Sequence, residues 1–170
     1  MSAKTSSVNT RLAFGGMMAA LVFVATYAIQ LPVSLTQGYI HLGDGFILLG
    51  AALLGPIAIP AAAVGSMLAD LLAGYTIYCL PTFLIKGAVA AVAVLGVWKQ
   101  RPLWVRLVSM IAAEAVMVAG YFVVEWLVLG YGLAAAASAV LPNVVQGVSG
   151  VVIGMVLMPL VSRIRQILHL

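Results

Sequence analysis

The chain has 170 residues, of which 65% are hydrophobic and 7% charged, with a formal net charge of +4. A soluble domain carries about 25% charged residues, so this composition excludes a soluble protein and indicates a chain that lies in lipid. At about 20 apolar residues per span, the length predicts one all-α, polytopic membrane domain over residues 1–170 with about six transmembrane helices. The small positive charge is spread over short connecting segments and does not indicate nucleic-acid binding.

Apolar runs and the residues that interrupt them predict the helices. A proline ends the first run, and a Gly-Pro pair separates the second from the third. The second helix, with twelve residues, is only about 18 Å long by helical rise, so the second and third helices could instead form a re-entrant hairpin. The state of residues 130–139 is left open. The polar tail is 1–10, the bundle is 11–168, and the helices are about 12–30, 43–54, 59–74, 81–98, 103–129 and 142–165.

The distribution of basic residues predicts the orientation in the membrane. Lysine and arginine collect on the cytoplasmic side, and seven of the eight basic residues fall on one side of a six-span arrangement. Both termini are therefore predicted to be cytoplasmic. The eighth basic residue, Lys86, lies inside the fourth helix. The other seven are Lys4, Arg11, Lys99, Arg101, Arg106, Arg163 and Arg165.

Charged residues inside apolar runs mark a candidate site. A charge at the bilayer centre costs about 2.5–3.5 kcal/mol on insertion scales, so such residues must either pair with each other or line a polar cavity. In the predicted orientation they fall in the outer half or near mid-membrane, together with tyrosines and amides. The candidate binding residues are Asp44, Asp70, Tyr75, Tyr78, Lys86, Glu114, Tyr121, Glu125, Asn143 and Gln146.

Structural roles are possible for several of these residues. Asp70 and Lys86 could form an ion pair that only fixes the third and fourth helices. Asp44 could cap the start of the second helix. Glu114 is hardest to explain in this way, because it is deep and has no partner nearby in the sequence. Interfacial or solvated positions are the structural alternative for Tyr75, Tyr78, Glu125 and His41.

Small residues on the first helix form two overlapping stripes. Gly15 with Ala19, and Gly16 with Ala20, each repeat at a spacing of four residues. Such stripes let another helix backbone approach closely. The sequence leaves open whether they pack inside this bundle or against a partner subunit.

The motifs of several catalytic classes are missing from the sequence. There is no G-x-x-x-x-G-K-[ST] phosphate loop, no H-E-x-x-H motif and no nucleophile elbow. The lone Cys79 excludes an intrachain disulfide and a cysteine-based zinc cluster. We therefore predict a protein without enzymatic activity, metal or cofactor.

Three segments of this sequence resemble a known family. They are YIHLGDG at residues 39–45, LLGPIAIPAAAVGSMLADLLAGY at 53–75, and P-x-x-x-x-K-G at 81–87. Together they resemble the substrate-binding S component of energy-coupling factor (ECF) transporters, in the branch with riboflavin-, pyridoxine- and hydroxymethylpyrimidine-type members. The resemblance extends from Arg11 to about Gly154.

The resemblance implies six helices, cytoplasmic termini and a multi-pass location in the bacterial cytoplasmic membrane. It also implies a vitamin site at the outer side, and a complex with a transmembrane T component and two ATPase subunits. Family members dock through a small-residue motif on the first helix, and the matching positions here are Gly16 and Ala20.

The charges of the candidate site predict the class of ligand. Four carboxyl groups stand against the single Lys86, so a polyanionic vitamin would bury uncompensated charge. A neutral or weakly basic heteroaromatic ring is expected, pyridoxine- or hydroxymethylpyrimidine-like first and riboflavin second. A self-contained proton-coupled secondary transporter that uses Glu114 and Asp70 is the competing hypothesis, and an intramembrane enzyme is a third.

Overall fold

A computed structural model of the protein describes residues 8–33, 35–36, 38–99 and 101–168, with only the backbone of Leu168. The prediction for Lys4 therefore lies outside the described residues. The described chain is an all-α bundle with one short antiparallel strand pair, β1 Leu31–Pro32 and β2 Tyr39–Ile40. The α-helices are α1 Val8–Tyr27, α2 Gly43–Leu54, α3 Ala58–Leu72, α4 Cys79–Val97, α5 Leu103–Val123 and α6 Leu133–Leu168.

The boundaries of α2, α3 and α4 lie within two residues of the predictions, whereas α1 begins four residues earlier and ends three residues earlier than predicted, and the α5–α6 connection differs at both ends. The last turn of the predicted fifth helix is a π-helical segment, Val124–Val128. The predicted start of α6 near Pro142 is wrong, because α6 begins at Leu133 and contains Pro142 and Pro159 in its interior. The alanine-rich start favours helix, and proline is tolerated inside membrane helices when neighbouring groups satisfy the freed backbone.

The turn between α2 and α3 sends the chain back toward the end of the bundle where α2 begins. Gly55 has a positive φ of 61° in this turn, and it lies so close to the Trp98 indole that a side chain would collide with the ring. At the opposite end, the hydroxyl of Tyr39 donates a hydrogen bond to Asp70, in the last turn of α3, at 2.6 Å. The start of α2 and the end of α3 are therefore neighbours.

Within the described chain, five helical segments are long and apolar enough to cross a membrane. One of them is the whole stretch Gly43–Leu72, which contains both α2 and α3. The prediction of a membrane helical bundle thus holds, whereas the predicted number of six spans depends on how this α2–α3 pair lies in the bilayer.

Large apolar side chains cover the outside of the bundle, while small and polar ones fill much of the interior. Leu84, Leu95 and Val156 are 61%, 77% and 70% exposed. In contrast, the alanines of α2 and α3, and Ala90 and Ala93 of α4, are almost completely buried. This arrangement suits a lipid solvent, in which close helix contact through small residues replaces the hydrophobic effect as the packing force.

A close backbone contact joins α1 to α3, and it distinguishes the two small-residue stripes of α1. A side chain at Gly65 of α3 would collide with the backbone carbonyl of Ala19, and one at Gly15 would lie 2.9 Å from Ile57. The Gly15/Ala19 stripe therefore packs inside the bundle. Gly16 and Ala20, by comparison, are exposed.

The α1–α3 contact predicts that Gly65→Ala destabilises the protein. The added methyl group would push against a rigid backbone atom, and overpacking of this kind costs about 1–3 kcal/mol. Gly87→Ala is the matched control, because a methyl group there would lie 3.6 Å from Ala63 at ordinary contact distance. Thermal unfolding in detergent should show a lower midpoint for Gly65→Ala only; equal midpoints for both variants would contradict the packing described here.

Candidate ligand-binding site

A buried ion pair lies at the end of the bundle where α2 begins. The ammonium nitrogen of Lys86 is 2.6 Å from Oδ1 of Asp44, and their side chains are 0% and 1% exposed. Each charge makes the burial of the other tolerable, which explains why both occur in an apolar run. The hypothesis that Lys86 pairs with Asp70 is wrong, because Asp44 occupies it. The capping hypothesis for Asp44 is also wrong, since Leu42 is the N-cap and makes no side-chain capping bond.

Two further residues extend this ion pair into a network that joins three parts of the chain. Gln146 of α6 donates from its amide nitrogen to Oδ2 of Asp44 at 2.6 Å. The amide oxygen of Gln146 accepts a hydrogen bond from the backbone N–H of His41 at 2.8 Å. His41 is only 8% exposed, so the expectation of a solvated loop residue is wrong. We call Asp44, Lys86, Gln146 and His41 the polar network.

A small polar cavity of about 30 Å³ adjoins this network. It lies between the segment that precedes α2, the ends of α3 and α5, the first turn of α4 and the N-terminal half of α6. That volume has room for about one or two water molecules, so the cavity is too small for a vitamin in this structure. Six of the predicted site residues line it: Asp70, Tyr78, Tyr121, Glu125, Asn143 and Gln146.

Tyrosine hydroxyl groups hold both carboxyl groups of the cavity wall. Tyr39 donates to Asp70 at 2.6 Å, and Tyr78 donates to Glu125 at 3.0 Å. Burial, together with the nearby Asp70 carboxylate, raises the pKa of Tyr39 far above its usual range, so its hydroxyl keeps its proton. The π-helical segment Val124–Val128 contains Glu125 and turns it inward, where it is 2% exposed. Such π-helical insertions often occur at functional sites.

Tyr121 of the cavity wall also contacts Lys86 of the polar network. The Lys86 ammonium lies 5.4 Å from the centre of the Tyr121 ring, within the range of a cation–π contact. The hydroxyl of Tyr121 is 2.9 Å from that of Thr82. Lys86 thus supports one wall of the cavity, although its charge is directed at Asp44.

Four of the predicted site residues do not line the cavity. Asp44 and Lys86 form the ion pair beside it, and the other two lie farther away. Tyr75 stands behind Tyr39, with ring centres 4.5 Å apart. Glu114 packs beneath Gly147 and Gly150 of α6 and lines an apolar groove of about 680 Å³ between α5 and α6. Neither of its carboxyl oxygens has a hydrogen-bond partner among the described residues.

The sequence analysis missed cavity residues that come from the segment before α2. Tyr39 and His41 both line the cavity, yet neither was among the predicted site residues. The sequence feature that could have identified them is the run Y-I-H just before the short helix that begins with Gly-Asp-Gly. Thr82 of α4, one turn before Lys86 on the same face, also lines the cavity. No cluster of three metal-binding side chains occurs within the described parts of the chain.

The polar network predicts a specific pattern of stabilities. Lys86→Met would leave the Asp44 carboxylate buried without a cation, which should cost about 3–5 kcal/mol of unfolding free energy. The double variant Lys86→Met, Asp44→Asn removes both charges and keeps an acceptor for Gln146, so it should be more stable than the single variant. Denaturant unfolding in detergent would measure both. A double variant that is no more stable than Lys86→Met would contradict the pairing.

Comparison with known proteins identifies the family. A family model described as the S component of ECF-type riboflavin transporters matches residues 7–163. An uncharacterized protein of Pyrococcus woesei is 37% identical over 135 residues, which cover 78% of this chain and 88% of that protein. A solved S component of a bacterial ECF transporter has the same fold, with a TM-score of 0.73 over 95% of this chain and 99% of that one, at 23% identity. The chain therefore belongs to the S components of the ECF-type riboflavin transporter family, which are membrane-embedded substrate-binding subunits and not enzymes.

Proposed function

We propose that this chain captures an uncharged heteroaromatic vitamin at the polar cavity and delivers it for uptake by partner subunits. The observation that carries the proposal is the convergence of Asp70 and Glu125 with three tyrosines at one end of an apolar bundle. Carboxyl oxygens accept hydrogen bonds from ligand hydroxyl and ring N–H groups, and tyrosine rings offer flat apolar surface for a heteroaromatic ring.

The charges of the cavity argue against a phosphorylated vitamin. Lys86 is the one cation buried among the described residues, and Asp44 neutralises it at 2.6 Å. The cavity wall therefore offers Asp70 and Glu125 without a free cation to balance an added phosphate. Burial of a phosphate there would leave uncompensated negative charge at low dielectric.

Riboflavin is our first candidate ligand. The matching family model is described for riboflavin transport. The neutral ring of riboflavin suits the tyrosine surfaces, and its several hydroxyl groups suit the carboxyl acceptors. The second candidate is a pyridoxine- or hydroxymethylpyrimidine-like ring, which the sequence analysis favoured. The cavity volume of about 30 Å³ supports the smaller ring, because it requires less displacement of the segment before α2.

For the topology, we propose that α2 and α3 both cross the membrane, giving six spans with cytoplasmic termini in the cytoplasmic membrane. The α2–α3 hairpin reaches both ends of α4, because Gly55 in its turn lies against Trp98 while Asp70 lines the cavity together with Thr82, and this supports a full crossing. At the end of the bundle opposite the cavity, Arg165 donates to the backbone carbonyl of Trp98 at 2.7 Å. The basic residues that follow α4 and those at the end of α6 therefore lie at the same end of the bundle. Lysine and arginine gather on the cytoplasmic side, which makes the cavity end the outer end.

For the partners, we propose a T component and two ATPase subunits, with docking through the Gly16/Ala20 stripe of α1. The stripe is exposed, and a side chain at Gly16 would have no atom within 4 Å among the described residues. An apolar groove of about 570 Å³ runs beside Ala20, between α1, the end of α2 and the end of α6. A transmembrane helix of the T component could approach closely at such a surface.

Isothermal calorimetry of purified protein with a vitamin panel tests the proposed ligand class. We expect tight binding of riboflavin or, failing that, of pyridoxine or hydroxymethylpyrimidine, and weak binding of the phosphorylated forms. Glu125→Gln should weaken binding at least tenfold, because a hydrogen bond to a charged group contributes about 1.5–3 kcal/mol. Glu114→Gln is the matched control and should bind within about twofold of wild type, since Glu114 lies outside the cavity wall. Preferred binding of a phosphorylated vitamin would refute the charge argument.

The docking proposal predicts that Ala20→Trp prevents assembly with the T component and leaves vitamin binding intact. The indole would fill the surface that a partner helix must approach closely. Ala88→Trp provides the control, because Ala88 of α4 is also exposed but belongs to a different face. Copurification of tagged chain with the T component measures assembly. Loss of vitamin binding in Ala20→Trp, or normal assembly, would count against this docking surface.

A further inference from the structure

His41 is a buried histidine in the cavity wall, and no role in ligand binding has been assigned to it above. It lies between β2 and the first residue of α2, it is 8% exposed, and it lines the polar cavity. Its ring stands beside the Tyr39 ring, with centres 5.5 Å apart. Backbone and side chain are both held in place, so the orientation of the imidazole is set before any ligand arrives.

The hydrogen bonds around His41 fix its tautomer. The backbone N–H of Gly43 donates to Nδ1 of His41 at 2.9 Å, so Nδ1 is an acceptor and has no proton. A neutral imidazole has its one proton on the other nitrogen, which is Nε2 here. The backbone N–H of His41 is anchored separately on Gln146 at 2.8 Å, and this bond keeps the ring from shifting along the cavity.

The surroundings of His41 also keep it neutral. Burial and the Lys86 ammonium lower the pKa of His41 to about 3, although the Asp44 carboxylate raises it in part. Tyr39, the other titratable group packed against the ring, keeps its proton. At neutral pH the imidazole is therefore a hydrogen-bond donor at Nε2 without a net charge.

Among the described residues, His41 makes hydrogen bonds through its backbone N–H and through Nδ1, and none through Nε2–H. The carboxyl groups of Asp70 and Glu125 already accept tyrosine hydroxyl groups and offer only further acceptor positions. A heteroaromatic vitamin has acceptors of its own, at ring nitrogens and carbonyl oxygens, and these need a donor once they leave water. His41 is a rigid, neutral donor in the cavity wall that can meet this need.

We infer that His41 recognises the ligand directly, by donating a hydrogen bond from Nε2–H to an acceptor atom on the heteroaromatic ring. This role rests on the proposed function, because it requires that the cavity binds such a ring. It distinguishes rings with a nitrogen or carbonyl acceptor from carbocyclic rings of the same shape. The residue thereby contributes to specificity for the ring, whereas the carboxyl groups select for hydroxyl and N–H groups.

Substitution of His41 separates a ligand contact from a structural role. His41→Phe keeps the ring shape and removes the donor, so affinity should fall about tenfold or more. His41→Gln places an amide N–H near the former Nε2 position and should bind within about threefold of wild type. Calorimetry would use whichever of riboflavin and pyridoxine binds wild type more tightly, after size-exclusion chromatography has shown that each variant is folded. Equal affinity of wild type and His41→Phe would overturn the inference.

Nuclear magnetic resonance of wild-type protein with ¹⁵N-labelled histidine tests the same inference without a substitution at the site. The chain has two histidines, so His169→Gln assigns the signals. We expect His41 to show a protonated Nε2 and an unprotonated Nδ1, with the Nε2 resonance shifting when the ligand saturates the protein. An unprotonated or unresponsive Nε2 would overturn the role of His41 while leaving vitamin binding established. If wild type binds neither vitamin, the proposed function fails and this inference fails with it.

Discussion

The rest of the structure depends on the ion pair between Asp44 and Lys86. Neither charge could remain alone in an apolar interior, because a single buried ion costs several kcal/mol. Together they tie the start of α2 to the second turn of α4, and Gln146 ties the pair to α6. The same amide then holds the backbone of His41. One end of the bundle is thus organised by polar contacts, while the remainder is held by close packing of small residues.

This division of the bundle has a consequence for function. Because close packing holds the helices and Gln146 holds His41, enlargement of the cavity would involve the segment with β1 and β2 and leave the fold intact. The cavity of about 30 Å³ must enlarge to receive a vitamin. The segment with β1 and β2 is one part of the wall outside the six helices, and its contacts with the bundle include the bond from Tyr39 to Asp70. A ligand that replaces such bonds with its own could open the wall at little net cost in free energy.

The sequence predicted most of the helices well, because the length of the apolar runs and the residues that interrupt them report directly on helices. It could not predict which faces of the helices meet. The possible ion pair of Lys86 with Asp70 was therefore wrong. Glu114 was grouped with a cavity that it does not line. His41 was misjudged because a short loop before a helix usually lies in solvent, whereas here Gln146, more than 100 positions later in the chain, holds it inside. The start of α6 was misplaced because Pro142 was treated as a boundary.

The central claim is that this chain binds its vitamin alone but transports it only with partner subunits. Uptake of radiolabelled riboflavin into proteoliposomes tests this claim most directly, with pyridoxine as the second substrate. Vesicles that contain the chain alone should show binding and no uptake, with or without a pH gradient. Uptake should appear when the T component, both ATPase subunits and ATP are added. Uptake by the chain alone under a pH gradient would contradict the account and identify a proton-coupled carrier instead.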